Sequence, residues 1–250
     1  MNLNIKDKKV LVTGSSRGIG LSIVQSFIKE GCSVVANGRN QEDLLKAINN
    51  LKCHGIAADV SDPNESKRLV NEAIDFMGGI DILICNVGNS ESVKPGEENY
   101  SEWQQSLKTN YFTATNMVEA SKHELEKNEG SIVCISSICG LKTINDAPIT
   151  YSVSKAALNA YIKNIAPYMA KNGVRVNGVA PGNIFFEGSV WDKKLKERPE
   201  VVKEILANNV PLNKLGKPED VSSIVLWLSS PLANFVTGSI YVVDGGQTCL

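Results

Sequence analysis

Tyr151 and Lys155 stand four residues apart in Tyr151-Ser152-Val153-Ser154-Lys155. Four residues is about one helical turn, so on a helix the phenol and the ammonium project from the same face. A lysine there favours the phenolate and should draw the tyrosine pKa down from about 10 toward a range useful for proton transfer. A second constellation is Thr13-Gly14-Ser15-Ser16-Arg17-Gly18-Ile19-Gly20. Glycines let such a loop turn tightly and approach an anion closely, and a following helix offers free N–H groups and the positive end of its dipole. The spacing is G-x-x-x-G-x-G rather than the G-x-G-x-x-G of the common dinucleotide loop. It suits a pyrophosphate; a strand-to-helix turn with incidental glycines is the plainer alternative.

Both constellations need elements to hold them. Short β-branched runs at Lys9–Thr13, Ser33–Asn37, Gly55–Asp59, Asp81–Cys85, Ser131–Ile135, Arg175–Ala180 and Ile240–Val243 alternate with longer segments of helical period. The alternation predicts an α/β fold: one Rossmann-type, doubly wound parallel sheet of seven strands with helices on both faces. Ile19, Ile23 and Phe27 share one face of a first helix, ended by Gly31, that should pack on the sheet. Asn40–Leu51, Asn64–Met77, Tyr100–Leu125, Ile149–Lys171 and Pro218–Ser229 read as the other main helices, with Asp62-Pro63 and Lys217-Pro218 as starting signals. Residues 183–209 fit neither period: Phe185, Phe186 and Trp191 precede a charged stretch from Asp192 to Glu200, the composition of a substrate lid. The rest of residues 1–250 reads as a single domain without repeats or linkers.

The composition narrows the partners. With 26 Lys plus Arg against 27 Asp plus Glu, the net charge of −1 favours neither nucleic acid nor an anionic membrane, so a small molecule is the expected partner. No apolar run reaches the length of about 20 residues that a spanning helix needs, and no charged leader with an apolar stretch precedes Lys8. Cys32, Cys53, Cys85, Cys134, Cys139 and Cys249 show no CxxC spacing, so no metal site is expected and they read as small hydrophobes in a reducing cytoplasm.

More of the chain then falls into a pattern. In order, Thr13-Gly14-x-x-x-Gly18-Ile19-Gly20, Asp59-Val60, Asn86-x-Gly88, Asn110, Ser136-Ser137 with Gly140, Tyr151-x-x-Ser154-Lys155, Asn177-x-x-x-Pro181-Gly182, Leu215-Gly216-Lys217-Pro218-Glu219-Asp220 and Asp244-Gly245-Gly246 run its whole length. This series resembles the short-chain dehydrogenase/reductase family, in the branch typified by 3-oxoacyl-[acyl carrier protein] reductases. The resemblance implies an oxidoreductase in which Tyr151 is the general acid and base. Lys155 would bind the nicotinamide ribose and tune Tyr151, Ser137 would bond the substrate oxygen, and Asn110 would hold a water linking Lys155 to solvent. Ser137 stands 14 residues before Tyr151, one more than usual in the closest relatives, while Gly140 keeps its offset of three. The extra residue is therefore assigned to the loop Leu141–Thr150, with Ser136 as an alternative backbone-capping hydroxyl. By the same resemblance Gly14, Ser16, Arg17, Gly18, Ile19 and Gly20 cradle the dinucleotide, Asp59 and Val60 meet the adenine, Asn86 and Gly88 flank the cofactor, and Pro181, Gly182 and Ile184 border the nicotinamide.

Relatives that use NAD end the second strand on an Asp that accepts bonds from the adenosine ribose and repels a 2′-phosphate. This chain has Asn37-Gly38-Arg39-Asn40 there. Arg39 can pair with a 2′-phosphate and stack on adenine, and Arg17 can add a second charge, so NADP(H) is the expected cofactor. Phe186 replaces a Thr that the family often carries after Pro-Gly, and Phe185, Phe186 and Trp191 either line an apolar pocket or pack the lid. Lys127-Asn128-Glu129-Gly130 and Lys171-Asn172-Gly173 offer one lysine each where an acidic carrier protein would dock, which supports a carrier only weakly. The expected activity is reduction of a 3-oxoacyl thioester or other ketone. The alternatives are an NADP-linked dehydrogenase of a sugar or polyol, and a catalytically silent dinucleotide-binding sensor or scaffold, for which the intact Asn110, Ser137, Tyr151 and Lys155 would be superfluous. The resemblance also implies a homotetramer, with Tyr100–Leu125 and Ile149–Lys171 at one interface and Pro218–Leu250 at a second. Val225, Leu226, Trp227 and Leu228 make the last helix apolar on more than one face, which either asks for a second partner surface or leaves Trp227 lying against its own core.

Overall fold

The computed structural model describes residues 2–249. The β-branched runs form seven strands: β1 (Lys9–Val12), β2 (Ser33–Gly38), β3 (His54–Ala57), β4 (Ile82–Cys85), β5 (Ser131–Ile135), β6 (Arg175–Pro181) and β7 (Ile240–Val243). They build one sheet in the order β3-β2-β1-β4-β5-β6-β7, with every pair parallel. A parallel sheet needs cover on both faces, and successive side chains of β1 supply it. Leu11 joins a core with Leu69 and Val70 of α3 (Pro63–Met77), Met117 and Leu125 of α5 (Thr113–Lys127), and Leu158 and Ile162 of α6 (Ile149–Met169). Val10 and Val12 join the opposite core with Ile23 and Phe27 of α1 (Gly18–Lys29), Leu44 of α2 (Gln41–Ile48), and Val221, Val225 and Leu228 of α9 (Pro218–Ser229).

The helix ends follow their punctuation. Asn40 and Asp62 cap α2 and α3 by accepting from Asp43 N and Asn64 N, Pro63 takes the first helical position, and Gly78 at φ 75 stops α3. Three expectations differ. The predicted helix Tyr100–Leu125 is α4 (Tyr100–Leu107) and α5 joined by a π turn at Lys108–Phe112. The predicted lid 183–209 contains α7 (Val190–Glu197), capped by Ser189 accepting from Asp192 N, and α8 (Pro199–Asn209), started by Pro199. These two are short and largely exposed, so their apolar stripe is too thin to mark a helical period. Trp227 lies edge-on against Tyr241 of β7 at 5.5 Å and packs on its own core, so it is not the unpartnered face of α9. Phe235, fully exposed, is the conspicuous apolar side chain in that region. Among the described residues no helix is long and apolar enough to cross a membrane.

Candidate active site

Strand order reverses between β1 and β4, so the connections leaving their carboxyl ends run to helices on opposite faces of the sheet and open a crevice between them. Val12 sits opposite Ala36 of β2 and Ile84 of β4, so the loops after these three strands meet there. Asn86, just past β4, donates from Nδ2 to the carbonyls of Thr13 (3.1 Å) and Gly14 (2.8 Å) and from its backbone N–H to Thr13 Oγ1 (3.1 Å). Asn37 of β2, buried, accepts from Gly14 N at 3.4 Å and donates to the carbonyls of Ile56 and Ala58. Gly14 and Gly18 take left-handed φ values of 60 and 55, and a Cβ on Gly20 would collide with the Gly14 carbonyl. Arg17 stands at the N-cap of α1 with extended backbone and gives no side-chain cap, unlike the caps of α2 and α3. The first-turn N–H groups of α1 are therefore left for an anion, and a pyrophosphate fits this cradle.

The inner end of the crevice gathers the polar side chains. Tyr151 and Lys155 lie in the first turns of α6 on one face, with the Lys155 ammonium 5.9 Å from the Tyr151 ring centroid. Lys155 is 2% exposed and donates from Nζ to the carbonyl of Ile135, the last residue of β5, at 2.9 Å. Burial pushes its pKa down to about 8. Burial likewise pushes Tyr151 up to about 12, with the hydrogen-bonded Ser137 hydroxyl pulling back. The expected net lowering of the Tyr151 pKa is therefore not found: desolvation of the phenolate is the largest influence, and Lys155, 5.9 Å from the ring centroid, is not among the groups that shift it. Ser137 accepts from Cys139 N at 3.2 Å, whereas Ser136 turns away and donates to Asn159 Oδ1 at 2.6 Å. The hydroxyl facing Tyr151 belongs to Ser137.

Asn110 reaches the same place from the π turn. Its Oδ1 accepts from Asn89 N at 2.8 Å and its Nδ2 donates to the carbonyls of Asn89 (3.0 Å) and Ser106 (3.2 Å). The wider turn inserts one residue into the helix and so redirects the side chain, a use of π turns common at functional sites. A Cβ on Gly88 would lie 3.0 Å from Lys155 Nζ and 3.2 Å from Asn110 Oδ1, so this glycine lets both side chains close on one point. Asn37, Asn89 and the buried Ser106–Ser154 hydroxyl pair at 3.0 Å were not singled out as support for the site from sequence. Asn37 belongs to the stretch Asn37-Gly38-Arg39-Asn40 that the sequence marks for its lack of a carboxylate, but its support of the Gly14 loop shows only in the structure.

At the outer end, Ser16, Arg17, Arg39, Asn40, Asp43, Lys46 and Ala47 line an open cleft of about 690 Å³. Arg17 and Arg39 are exposed and pair with no carboxylate among the described residues, while Lys46 is paired with Glu42 at 2.7 Å. Asp59, two residues past β3, loses some solvent to burial, but bonds from Ser61 N and Oγ and the charges of Arg39 and Lys108 hold its carboxyl below the usual range. Val60 beside it is buried and its carbonyl takes a bond from Asn116. Across the crevice, Gly182 N donates to Val243 O at 2.9 Å, holding Pro181 and Gly182 beside β7 at the carboxyl end of β6, and Ile184 is buried in a bridge with Gly216. Ser137, Tyr151, Lys155 and Asn110 thus meet around Gly88, while Ser16, Arg17 and Arg39 share the outer cleft. No cluster of three or more His, Cys, Asp or Glu among the described residues could hold a metal ion.

A family model described as Enoyl-(Acyl carrier protein) reductase matches residues 14–248. With the sheet order and crevice above, this places the chain in the short-chain dehydrogenase/reductase family of oxidoreductases. It is 35% identical over 253 residues to a tropinone reductase homolog of Arabidopsis thaliana, covering 98% of this chain and 94% of that protein. It is 34% identical over 258 residues to a 3-oxoacyl-[acyl-carrier-protein] reductase of Chlamydia pneumoniae, covering 99% and 100%. L-Sorbose reductase from Gluconobacter frateurii, complexed with NADPH and L-sorbose, matches with a TM-score of 0.92 and 28% identity over 99% of this chain and 98% of that one. A 7α-hydroxysteroid dehydrogenase complexed with NADH and 7-oxo glycochenodeoxycholic acid matches with a TM-score of 0.90 and 29% identity over 98% and 96%.

Proposed function

We propose that the chain is an NADP(H)-dependent oxidoreductase that interconverts a carbonyl and a secondary alcohol, acting as a reductase of a ketone or 3-oxoacyl thioester. The observation that carries this reading is the convergence of Tyr151, Ser137, Lys155 and Asn110 beside an anion cradle at the switch point of the sheet. Gly14, Ser16, Arg17, Gly18, Ile19 and Gly20 would hold the pyrophosphate side of the dinucleotide, Asp59, Val60, Asn86 and Gly88 its flank, and Pro181, Gly182 and Ile184 its nicotinamide end. The bound nicotinamide supplies the hydride. Tyr151, kept protonated at neutral pH by burial, donates its proton to the carbonyl oxygen, and Ser137 bonds that oxygen. Lys155, with a pKa of about 8, stays largely cationic at neutral pH and favours the phenolate as it forms. Asn110 fixes the loop at Asn89 that closes this end and is assigned the water that relays a proton from Lys155 outward.

NADP(H) is preferred to NAD(H) because β2 ends on Gly38, with no carboxylate in Asn37-Gly38-Arg39-Asn40, while the guanidinium groups of Arg17 and Arg39 at the outer cleft pair with no carboxylate among the described residues. Likeness to proteins bound to NADPH and to NADH leaves that choice to these local residues. The L-sorbose reductase likeness supports a second reading, a dehydrogenase of a sugar or polyol, which uses the same four side chains. Oxidation of NADPH and of NADH by purified protein against ketones, 3-oxoacyl thioesters and keto sugars separates them. Faster oxidation of NADPH with a ketone or thioester is expected, a keto sugar as the sole substrate favours the second reading, and no oxidation with any carbonyl contradicts both.

Assembly as a tetramer with two-fold axes belongs to the same proposal. Phe112, Ile149 and Val153 leave apolar surface on the α5 and α6 side, and Leu232, Phe235 and Val242 leave a second patch around β7. Light scattering should return about four times the 27.0 kDa chain mass. A monomer mass overturns both interfaces, and a dimer mass leaves one.

A further inference from the structure

The lid touches the cradle through one ring. A Cβ built on Gly18 would lie 2.6 Å from Phe186 Cζ, 2.7 Å from Cε2 and 2.9 Å from Cε1, so the outer edge of this ring rests on the first residue of α1. The backbone that delivers it is fastened on both sides. Before it, Phe185 N donates to Gly216 O at 2.8 Å and Gly216 N to Asn183 O at 2.9 Å. After it, Phe186 N donates to Ser189 Oγ at 3.3 Å and Ser189 N to Phe186 O at 3.0 Å. With its backbone tethered, the ring moves most easily by turning about its own side-chain bonds.

An aromatic ring offers no hydrogen bond to an anion, and it covers the end of the cradle whose helix N–H groups are uncapped. We propose that Phe186 is a plug that tunes coenzyme affinity: its ring rests on the Gly18 end of the cradle and must turn away before the pyrophosphate settles. Measured affinity is then the intrinsic affinity reduced by the fraction of molecules whose ring is displaced. This also gives Gly18 a second constraint beyond its φ of 55, since any side chain there would strike the ring. The proposal rests on the reading of the crevice as a dinucleotide site.

The test titrates NADPH, followed by its fluorescence, into the wild type, Phe186→Ala, Phe186→Leu and the exposed lid neighbour Phe185→Ala, with thermal melts in the absence of coenzyme to establish folding. Phe186→Ala is expected to bind NADPH roughly three- to tenfold more tightly and to associate faster, with Phe186→Leu between it and the wild type and Phe185→Ala unchanged. Unchanged or weaker binding in folded Phe186→Ala, or in folded Phe186→Leu should the alanine variant not fold, overturns the plug and leaves the dinucleotide reading standing. Failure of the wild type to bind NADPH or NADH overturns both.

Discussion

The two ends of the crevice hold positive charge in opposite ways. At the inner end the Lys155 ammonium is 2% exposed and bonded to Ile135, and its neighbour Asn110, also 2% exposed, has both polar atoms engaged. At the outer end Arg17 and Arg39 are exposed and unpaired. Burial strengthens every electrostatic interaction and makes each unmade hydrogen bond costly, whereas an exposed guanidinium can be exchanged with little effect on folding. On the proposed function, the difference suits the inner end to proton transfer and the outer one to cofactor choice.

Substitution at the inner end should be the most disruptive. Lys155→Met keeps an unbranched apolar stem and removes the buried charge, and kcat/KM is expected to fall by about 10²–10⁴ in steady-state assays. The same variant checks the burial of the charge. The folded pKa of Lys155, about 8, lies below the 10.5 of a free lysine, so between these values the unfolded chain binds more protons and the Lys155 contribution rises with pH; it is lost as pH falls through 8. Cys32, raised to about 12 by burial and nearby carboxylates, acts oppositely above about 9, so the informative quantity is the difference between the two proteins. Denaturant unfolding should show wild-type stability gaining on Lys155→Met from pH 7.5 to 9; parallel curves would mean that the ammonium is not buried in solution.

Asn110→Leu comes next. It strands the N–H and carbonyl of Asn89, and a loss of about 1–3 kcal/mol in denaturant unfolding is expected together with lower kcat. Full stability would show that the loop at Asn89 is held by other means. The smallest structural effect belongs to the outer end, in Gly38→Asp with Arg39→Leu. A Cβ on Gly38 meets Ser16 and Leu44 at no less than 3.5 Å, so the new carboxylate fits. Preference in kcat/KM should move toward NADH by roughly 10- to 100-fold, with stability changed by less than about 0.5 kcal/mol. A wild type that already prefers NADH would remove the outer end from cofactor choice.

The same contrast explains how far the sequence could be read. Strands β5 and β7 are legible to the residue, since apolar β-branched runs bounded by turns have few other uses, and the shared face of Tyr151 and Lys155 follows from helical spacing alone. The π turn at Asn110 was not legible, because a one-residue slip inside a helix leaves no mark on an apolar period. Nor was the sign of the Tyr151 shift: spacing places the ammonium nearby, but only packing reveals how dry the phenol is. The ring of Phe186 on Gly18 joins segments more than 160 residues apart, which local pattern does not encode.

The most direct measurement pairs turnover with coenzyme binding in Tyr151→Phe, which keeps the ring and removes the proton. NADPH affinity close to wild type with kcat reduced to a few per cent or less is the predicted result, in line with the roughly 10²- to 10⁴-fold that a positioned acid contributes. Tyr151→Phe that binds NADPH and retains a substantial part of wild-type kcat would contradict proton transfer by Tyr151 and, with it, the account of the inner end.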